Sequence, residues 1–370
     1  MKRLIFGILF TAVLAQPQIC SAYFSNFTTL PGNTLGFGDW TPPNTTVTVT
    51  QNGKQLQVKE LVTNGDFSDE FQGWQTAGHT KVAEGKAILG DVQDFSPNIS
   101  SITQVIPNTS PTLTFTYQLT GGDEQESLVP VFTVTINGQP IYQTAKRTED
   151  KITIPINLSS FSEPSLNIEF ALEQDPNIAE ASHILALYSI TTTTIAINPS
   201  TQFSFTSEDK HATATYYHLA NSAQIAFTHL FTLSPEPKDT NFTFWSEDLS
   251  HNIEEARHIP LLFHEYLGEL GAITTNREQN GEAVIAFAVS ESSCCIQMID
   301  VRISDTPITN DTNLELLPAA EIAQESLHAP HQQGIEHIFI DHLDETKSYF
   351  IAVREIDGYG NISKPAIGVL

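Results

Sequence analysis

Four histidines near the C-terminal end, His328, His331, His337 and His342, come nearest in type and spacing to metal chemistry. Two of them stand three apart, and imidazoles so spaced can share a zinc ion. His328 and His331 fall in a Pro-containing loop, however, while His337 and His342 run along an expected strand and its turn. The pattern therefore reads as solvated side chains, and no metal site is expected. Glu254, Glu255, His258, His264 and Glu265 form a second acid–base stretch, with no helical period to make them converge. Paired carboxylates that hydrolyse glycosides must face each other across a cleft at about 5–10 Å, and nothing in the spacing arranges that. The sequence holds no His-Glu-x-x-His, no Gly-x-Ser-x-Gly, no phosphate-cradling glycine loop and no EF-hand loop. No catalytic residue and no cofactor is expected. Cys294 and Cys295 are adjacent, with no neighbouring cation to lower a thiol pKa, so they read as structural thiols, closed in a ring or reduced.

Binding chemistry has better candidates. A pyranose is held by stacking on an exposed aromatic ring bordered by amides or hydroxyls. Trp40 and Tyr142 lie outside the apolar alternation, and Trp74 stands at the entry of a strand-rich block. Gln118 shares a strand face with Thr114 and Thr116, so Trp40, Trp74, Tyr142 and Gln118 are the candidate carbohydrate contacts. The opposite face, Leu113, Phe115, Tyr117 and Leu119, reads as core, as do Phe132, Val134 and Ile136.

These residues need elements to position them, and the chain of 370 residues suits several domains. Met1 to Ala22 pairs Lys2 and Arg3 with an apolar run, Leu4 to Leu14, and small residues at Cys20-Ser21-Ala22. That is the pattern of a secretory signal, with cleavage expected after Ala22 or, second, after Ala15. The formal charge is −26, and −28 once Met1 to Ala22 is removed with two basic and no acidic residues. Such a balance repels nucleic acid and anionic membranes, and no membrane insertion of the mature chain is expected. With so few cysteines, the chain does not depend on a disulfide framework, which points to a bacterial exporter. Eight Asn-x-Ser/Thr sequons, Asn108, Asn157 and Asn361 among them, are expected to go unused.

Strands are expected at Leu113 to Leu119, Val131 to Ile136, Lys151 to Ile156, Leu166 to Leu172 and Ile184 to Ile190, with Asn137-Gly138 as a hairpin turn. This block opens on Asn64-Gly65-Asp66-Phe67 and Gly73-Trp74, and in this order it resembles the CenC-type jelly-roll carbohydrate-binding modules. That resemblance implies a galactose-binding-like domain over 61–198. The family's calcium ligands have no counterpart in Ala186-Leu187-Tyr188-Ser189-Ile190, so the usual calcium is not expected. Thr215 to Leu219, Phe231 to Leu233 and Phe242 to Asp248 resemble the small Ig-like repeats of chitobiase-type bacterial proteins, implying a second domain over 199–260. Glu254 to Gly268 reads as a linker or short helix, with 261–271 as linker. Glu282 to Val289, Gln297 to Thr309, Gly334 to Ile340 and the alternating Tyr349 to Ile356 are followed by the turn Gly358-Tyr359-Gly360. Together they resemble a bacterial fibronectin type III domain over 272–370, with Leu343 and Tyr349 at the spacing of its tyrosine corner. Residues 23–60 read as an extended segment with one alternating strand, Thr46 to Thr50, and its start resembles secreted surface proteins of the TasA/camelysin kind.

The fold class expected is thus all-β, with three tandem β-sandwiches behind a signal peptide. The resemblances imply an extracellular, non-catalytic surface or matrix protein that spaces and adheres. A carbohydrate-binding accessory that recruits a polysaccharide-active enzyme is the alternative, and a glycoside hydrolase component a remoter one. The partner expected is an extracellular glycan or a surface protein.

Overall fold

Apolar residues at every second position organise the chain into strands, and the structure, a computed structural model, is all-β apart from two single-turn 3-10 helices among the described residues. It describes residues 27–29, 35–37, 41–51, 53–90, 98–121, 131–174, 183–209, 214–220, 222–233, 239–264, 267–278, 281–290, 295–309, 311–323, 326, 328–331 and 334–370. The expected signal segment and Trp40 lie outside them. No helix among the described residues is long and apolar enough to cross a membrane.

The chain divides into two compact units, of which the larger comprises Val49–Gln202, Thr232–Thr240 and Pro260–Leu370. It contains the first and third sandwiches. One sheet of the first runs in the order Gln139–Thr144, Val131–Ile136, Ser165–Glu173, Ile99–Pro107, Gln75–Ala77. The other runs Ile152–Asn157, Thr112–Gly121, His183–Thr191, Ala87–Leu89, Thr80–Val82. The five expected strands are all present. Leu113, Phe115, Tyr117 and Leu119 meet Phe132, Val134, Ile136 and Phe170 between the sheets, all fully buried. Edge-to-face contacts such as Phe115 with Phe132, at 5.9 Å and 90°, fill the core.

The third sandwich stacks Thr274–Arg277, Ala283–Ala288 and Ile335–Ile340 against Ile296–Ser304, Phe350–Asp357 and Ala366–Val369. Phe287, Ile285, Ile338, Ile351 and Val353 form its core. The tyrosine corner closes as expected: the Asp344 amide donates to the Tyr349 hydroxyl at 3.2 Å, beside buried Leu343.

Within the same unit the two sandwiches meet on polar groups. Asn157 N–H donates to Gln297 Oε1 at 2.8 Å, and Gln297 Nε2 donates back to Asn157 O at 2.9 Å. From other segments of the larger unit, Gln51 and Asn198 both donate to the carbonyl of Tyr359, at 2.9 and 3.0 Å. Buried Asp357 takes the amides of Tyr359 and Asn361 on Oδ1, and Asn361 Nδ2 with His264 Nδ1 on Oδ2. The two glycines of the turn have different tasks. Gly360 takes a left-handed φ of +78°. Gly358 does not, but a Cβ there would lie 2.0 Å from the Pro155 carbonyl oxygen.

The smaller unit, described over parts of 27–48 together with Phe203–Phe231 and Asn241–Ile259, has a core of Phe203, Phe205, Tyr217, Phe231, Phe242 and Phe244. Ala214–Leu219 pairs antiparallel with Asp239–Glu247, from Ala214 opposite Glu247 to Leu219 opposite Phe242. Thr45 enters this unit from far upstream. Its amide donates to Glu254 Oε1 at 3.1 Å, and its hydroxyl meets that of Ser246 at 2.5 Å. Asn44–Gln51 contains the strand expected at Thr46 to Thr50, but it belongs to the middle sandwich and not to a separate segment, and the first sandwich interrupts that sandwich in sequence. Arg257–Phe263, expected as linker or helix, is also a strand, because Ile259 and Leu261 alternate into the core.

The close approach at Gly358 gives a direct test. Gly358→Ala forces two backbones apart and is expected to cost about 1–3 kcal/mol, read as a lowered urea midpoint. Gly85→Ala, whose added Cβ meets nothing within 4 Å among the described residues beyond its chain neighbours, should lose only the roughly 1 kcal/mol of a left-handed φ.

Candidate functional site

Trp74 is core and not a ligand platform. The Asn64 side chain holds the preceding turn, accepting from Asp69 N at 3.0 Å and donating to Glu70 O at 2.8 Å. Gly65 and Gly73 are required because added Cβ atoms would fall 1.8 Å from Ile190 O and 2.8 Å from Thr63 Cγ2. Trp74 then turns inward against Phe67 and Phe170, and its Nε1 donates to Asn64 O at 3.2 Å. The Asn-Gly and Gly-Trp signature is explained by folding alone. Tyr142 is likewise buried, its hydroxyl 2.6 Å from that of Tyr117 and its ring packed edge-on to Phe115. Neither ring offers a sugar an open face.

Gln118 does lie on the outer face of its sheet, where Nε2 donates to Glu149 O and Oε1 accepts from the Tyr188 hydroxyl at 2.9 Å. Tyr188 was not among the expected contacts. A bulge between Leu187 and Ser189 returns Ile190 to the core and leaves Tyr188 outside, which strict alternation does not reveal. Lys151 Nζ sits 3.7 Å from the Tyr188 ring centroid and Lys86 Nζ 5.6 Å from it. The ring is thus engaged by cations where a pyranose would stack.

Of the acid–base stretch, Glu265 lies outside the described residues. Glu254 binds Arg257 at 3.0 Å and the Thr45 amide, His258 meets the Thr243 hydroxyl, and His264 belongs to the Asp357 network. Asn108, Asn157 and Asn361 are buried and hydrogen-bonded, so these three sequons are closed to modification in the folded chain. Cys295 is disulfide-bonded, and Cys294 lies outside the described residues.

What the structure does assemble is a cleft of about 600 Å³ between the first and third sandwiches, within the larger unit. Tyr117, Tyr142, Lys146 and Arg147 line one side, His328 and His331 the other. Burial raises the pKa of both phenols, and in Tyr117 the neighbouring Tyr142 adds to the rise. His328 and His331 stack with ring centroids 5.2 Å apart. Behind them Glu336 points inward from Ile335–Ile340, 1% exposed, with Oε1 3.5 Å from His328 Nε2 and Oε2 accepting from the His331 amide at 2.8 Å. Glu355 is buried on the facing sheet and accepts from Ser290 N. Burial, with the charge of Glu336 adding to it, holds its carboxyl above the usual range. His337 and His342 do not join: His337 is on the exposed face of its strand, and His342 pairs with Glu321 at 3.2 Å.

No family model and no curated protein matches the chain. Among solved structures it is similar to the fibronectin(III)-like modules of Clostridium thermocellum CbhA, with 10% identity, a TM-score of 0.32, and coverage of 48% of this chain and 87% of that one. The FN1–FN3 domains of chicken CNTN1 share 10% identity at a TM-score of 0.32, covering 76% of this chain and 96% of theirs. Domains A168–A170 of titin share 9% at 0.28, with coverage of 79% and 96%.

The phenol pair sets an alkaline limit. A group whose folded pKa is raised stabilises the fold fully below its unfolded value, about 10 for tyrosine, and loses that contribution as pH rises toward the folded value. Tyr117 and Tyr142 are therefore expected to stay silent in an ultraviolet phenolate titration until the sandwich unfolds. Tyr142→Phe, which leaves the Tyr117 hydroxyl without its partner, is expected to cost about 1–3 kcal/mol in urea unfolding.

Proposed function

We propose that this chain is an exported, non-catalytic modular protein whose β-sandwiches act as spacing and adhesion units at a cell surface or in a matrix. The observation that carries the reading is the junction in the larger unit. A spacer must hold its modules at a set separation, and paired amides between Asn157 and Gln297, with a glycine seated against Pro155, resist sliding as a plain apolar contact does not. Burial of Trp74 and Tyr142 weighs against glycan stacking as the mode of adhesion. The acidic balance favours partners other than nucleic acid or anionic lipid. Export rests on the leader pattern of Met1 to Ala22.

Expressed in an exporting host, the chain is expected outside the cytoplasm with a new N-terminus at Tyr23 or Gln16, found by N-terminal sequencing. Recovery in the cytoplasm with Met1 retained would sink the export reading. Incubated with polysaccharides and peptidoglycan, the full chain is expected to release no product, and turnover would overturn the non-catalytic one. Gln297→Ala removes the acceptor of the Asn157 amide and one of the donors to its carbonyl, which keeps Ser160 Oγ at 2.8 Å, with an expected cost of about 1–3 kcal/mol and faster hydrogen exchange over Ile152–Asn157.

A further inference from the structure

We propose that His328, His331 and Glu336 form a binding site for a divalent transition-metal ion, with zinc as the best match, at the edge of the cleft. The site is independent of the spacing role and adds to it.

Three observations carry it. Imidazole and carboxylate atoms of the three residues lie within 4.8 Å of one another. In a tetrahedral zinc site, ligand atoms bonded at about 2.0–2.2 Å stand roughly 3.3–3.6 Å apart. The 3.5 Å between His328 Nε2 and Glu336 Oε1 already has that separation. His331 Nδ1 lies 3.7 Å from Glu336 Oε2 and 3.1 Å from the Ile335 carbonyl, so its ring stands beside the same carboxylate.

The hydrogen bonding also selects the ligand atom. His328 Nδ1 is 2.9 Å from the carbonyl of Ala329, which can only accept, so Nδ1 carries the proton. In the neutral ring Nε2 is then a lone pair directed at a carboxylate oxygen. This arrangement, one ring nitrogen tied to a carbonyl and the other free for metal, is how metal-binding histidines are held.

Finally, Glu336 Oε1 is buried and has no hydrogen-bond partner among the described residues. A buried carboxylate oxygen that accepts no hydrogen bond is costly. A divalent ion between the imidazoles and Oε1 offsets this charge. Nitrogen ligands with one carboxylate suit zinc better than calcium or magnesium, which take oxygen. Because His328 and His331 line the cleft, the ion borders it and keeps a position for water or an oxyanion near Lys146 and Arg147.

The test is a titration of the chelator-treated full chain with zinc chloride against a chromophoric competitor. One zinc per chain is expected, and Glu336→Gln and His328→Ala should each weaken binding by at least about 100-fold. His337→Ala and His342→Ala should leave it unchanged. Failure of the unmodified chain to take up stoichiometric zinc, or undiminished binding in both ligand variants, overturns the site. Should the variants misfold by circular dichroism, the cobalt(II) spectrum of the unmodified chain decides. Intense four-coordinate bands support the site, and a weak six-coordinate spectrum overturns it.

Discussion

Asn157 and Gln297 exchange two hydrogen bonds in a place closed to water, and the larger unit depends on that exchange. Asn157 ends the strand Ile152–Asn157, and its side chain caps the following 3-10 turn by accepting from Ser159 N at 2.8 Å. Its own backbone is therefore left at a sheet edge, where an unpaired amide would cost free energy unless a neighbour satisfied it. Gln297, from the third sandwich, is that neighbour. The adjoining turn brings further polar atoms to the contact, with Tyr359 O taking Gln51 and Asn198 and Asp357 gathering four donors. Directional bonds of this kind specify one docking geometry, whereas apolar surface specifies little beyond area.

The buried carboxyls pose the opposite case. Asp357 is saturated with donors and reads as architecture. Glu336 and Glu355, on the facing sheets of the same sandwich, each keep one oxygen without a donor among the described residues. Sandwich cores do not need such groups, and a fully apolar pair of similar volume would be no less stable. Their placement behind two stacked histidines that border a cleft links this part of the fold to binding.

Strands with strict alternation of apolar and polar residues were legible, because a pleated strand buries every second residue. Thr112–Gly121, Val131–Ile136 and Phe350–Asp357 belong to this group. Ile99–Pro107 escaped, since its inward positions include Ser100 and Gln104. Gln104 is tolerated inside because it bonds Thr63 N, Thr63 O and Gly73 O. The discontinuous middle sandwich was illegible for another reason: alternation at Thr46 to Thr50 marks a strand, but nothing local encodes its pairing with Gln202–Glu208, more than 150 residues later. Of the candidate site, His328 and His331 were visible as a pair, but Glu336 looked like one more polar residue in a strand.

By itself the sequence determined the all-β class, the turns and most of the core, because these follow from short-range period and from glycine and asparagine chemistry. It also determined the tyrosine corner, whose two residues are six apart. Tertiary structure alone decided that Trp74 and Tyr142 face inward, that Gly358 exists for Pro155, and that a buried glutamate stands behind two histidines. Each of these depends on which strand lies across from which. That pairing is a long-range outcome of packing, and no local spacing encodes it.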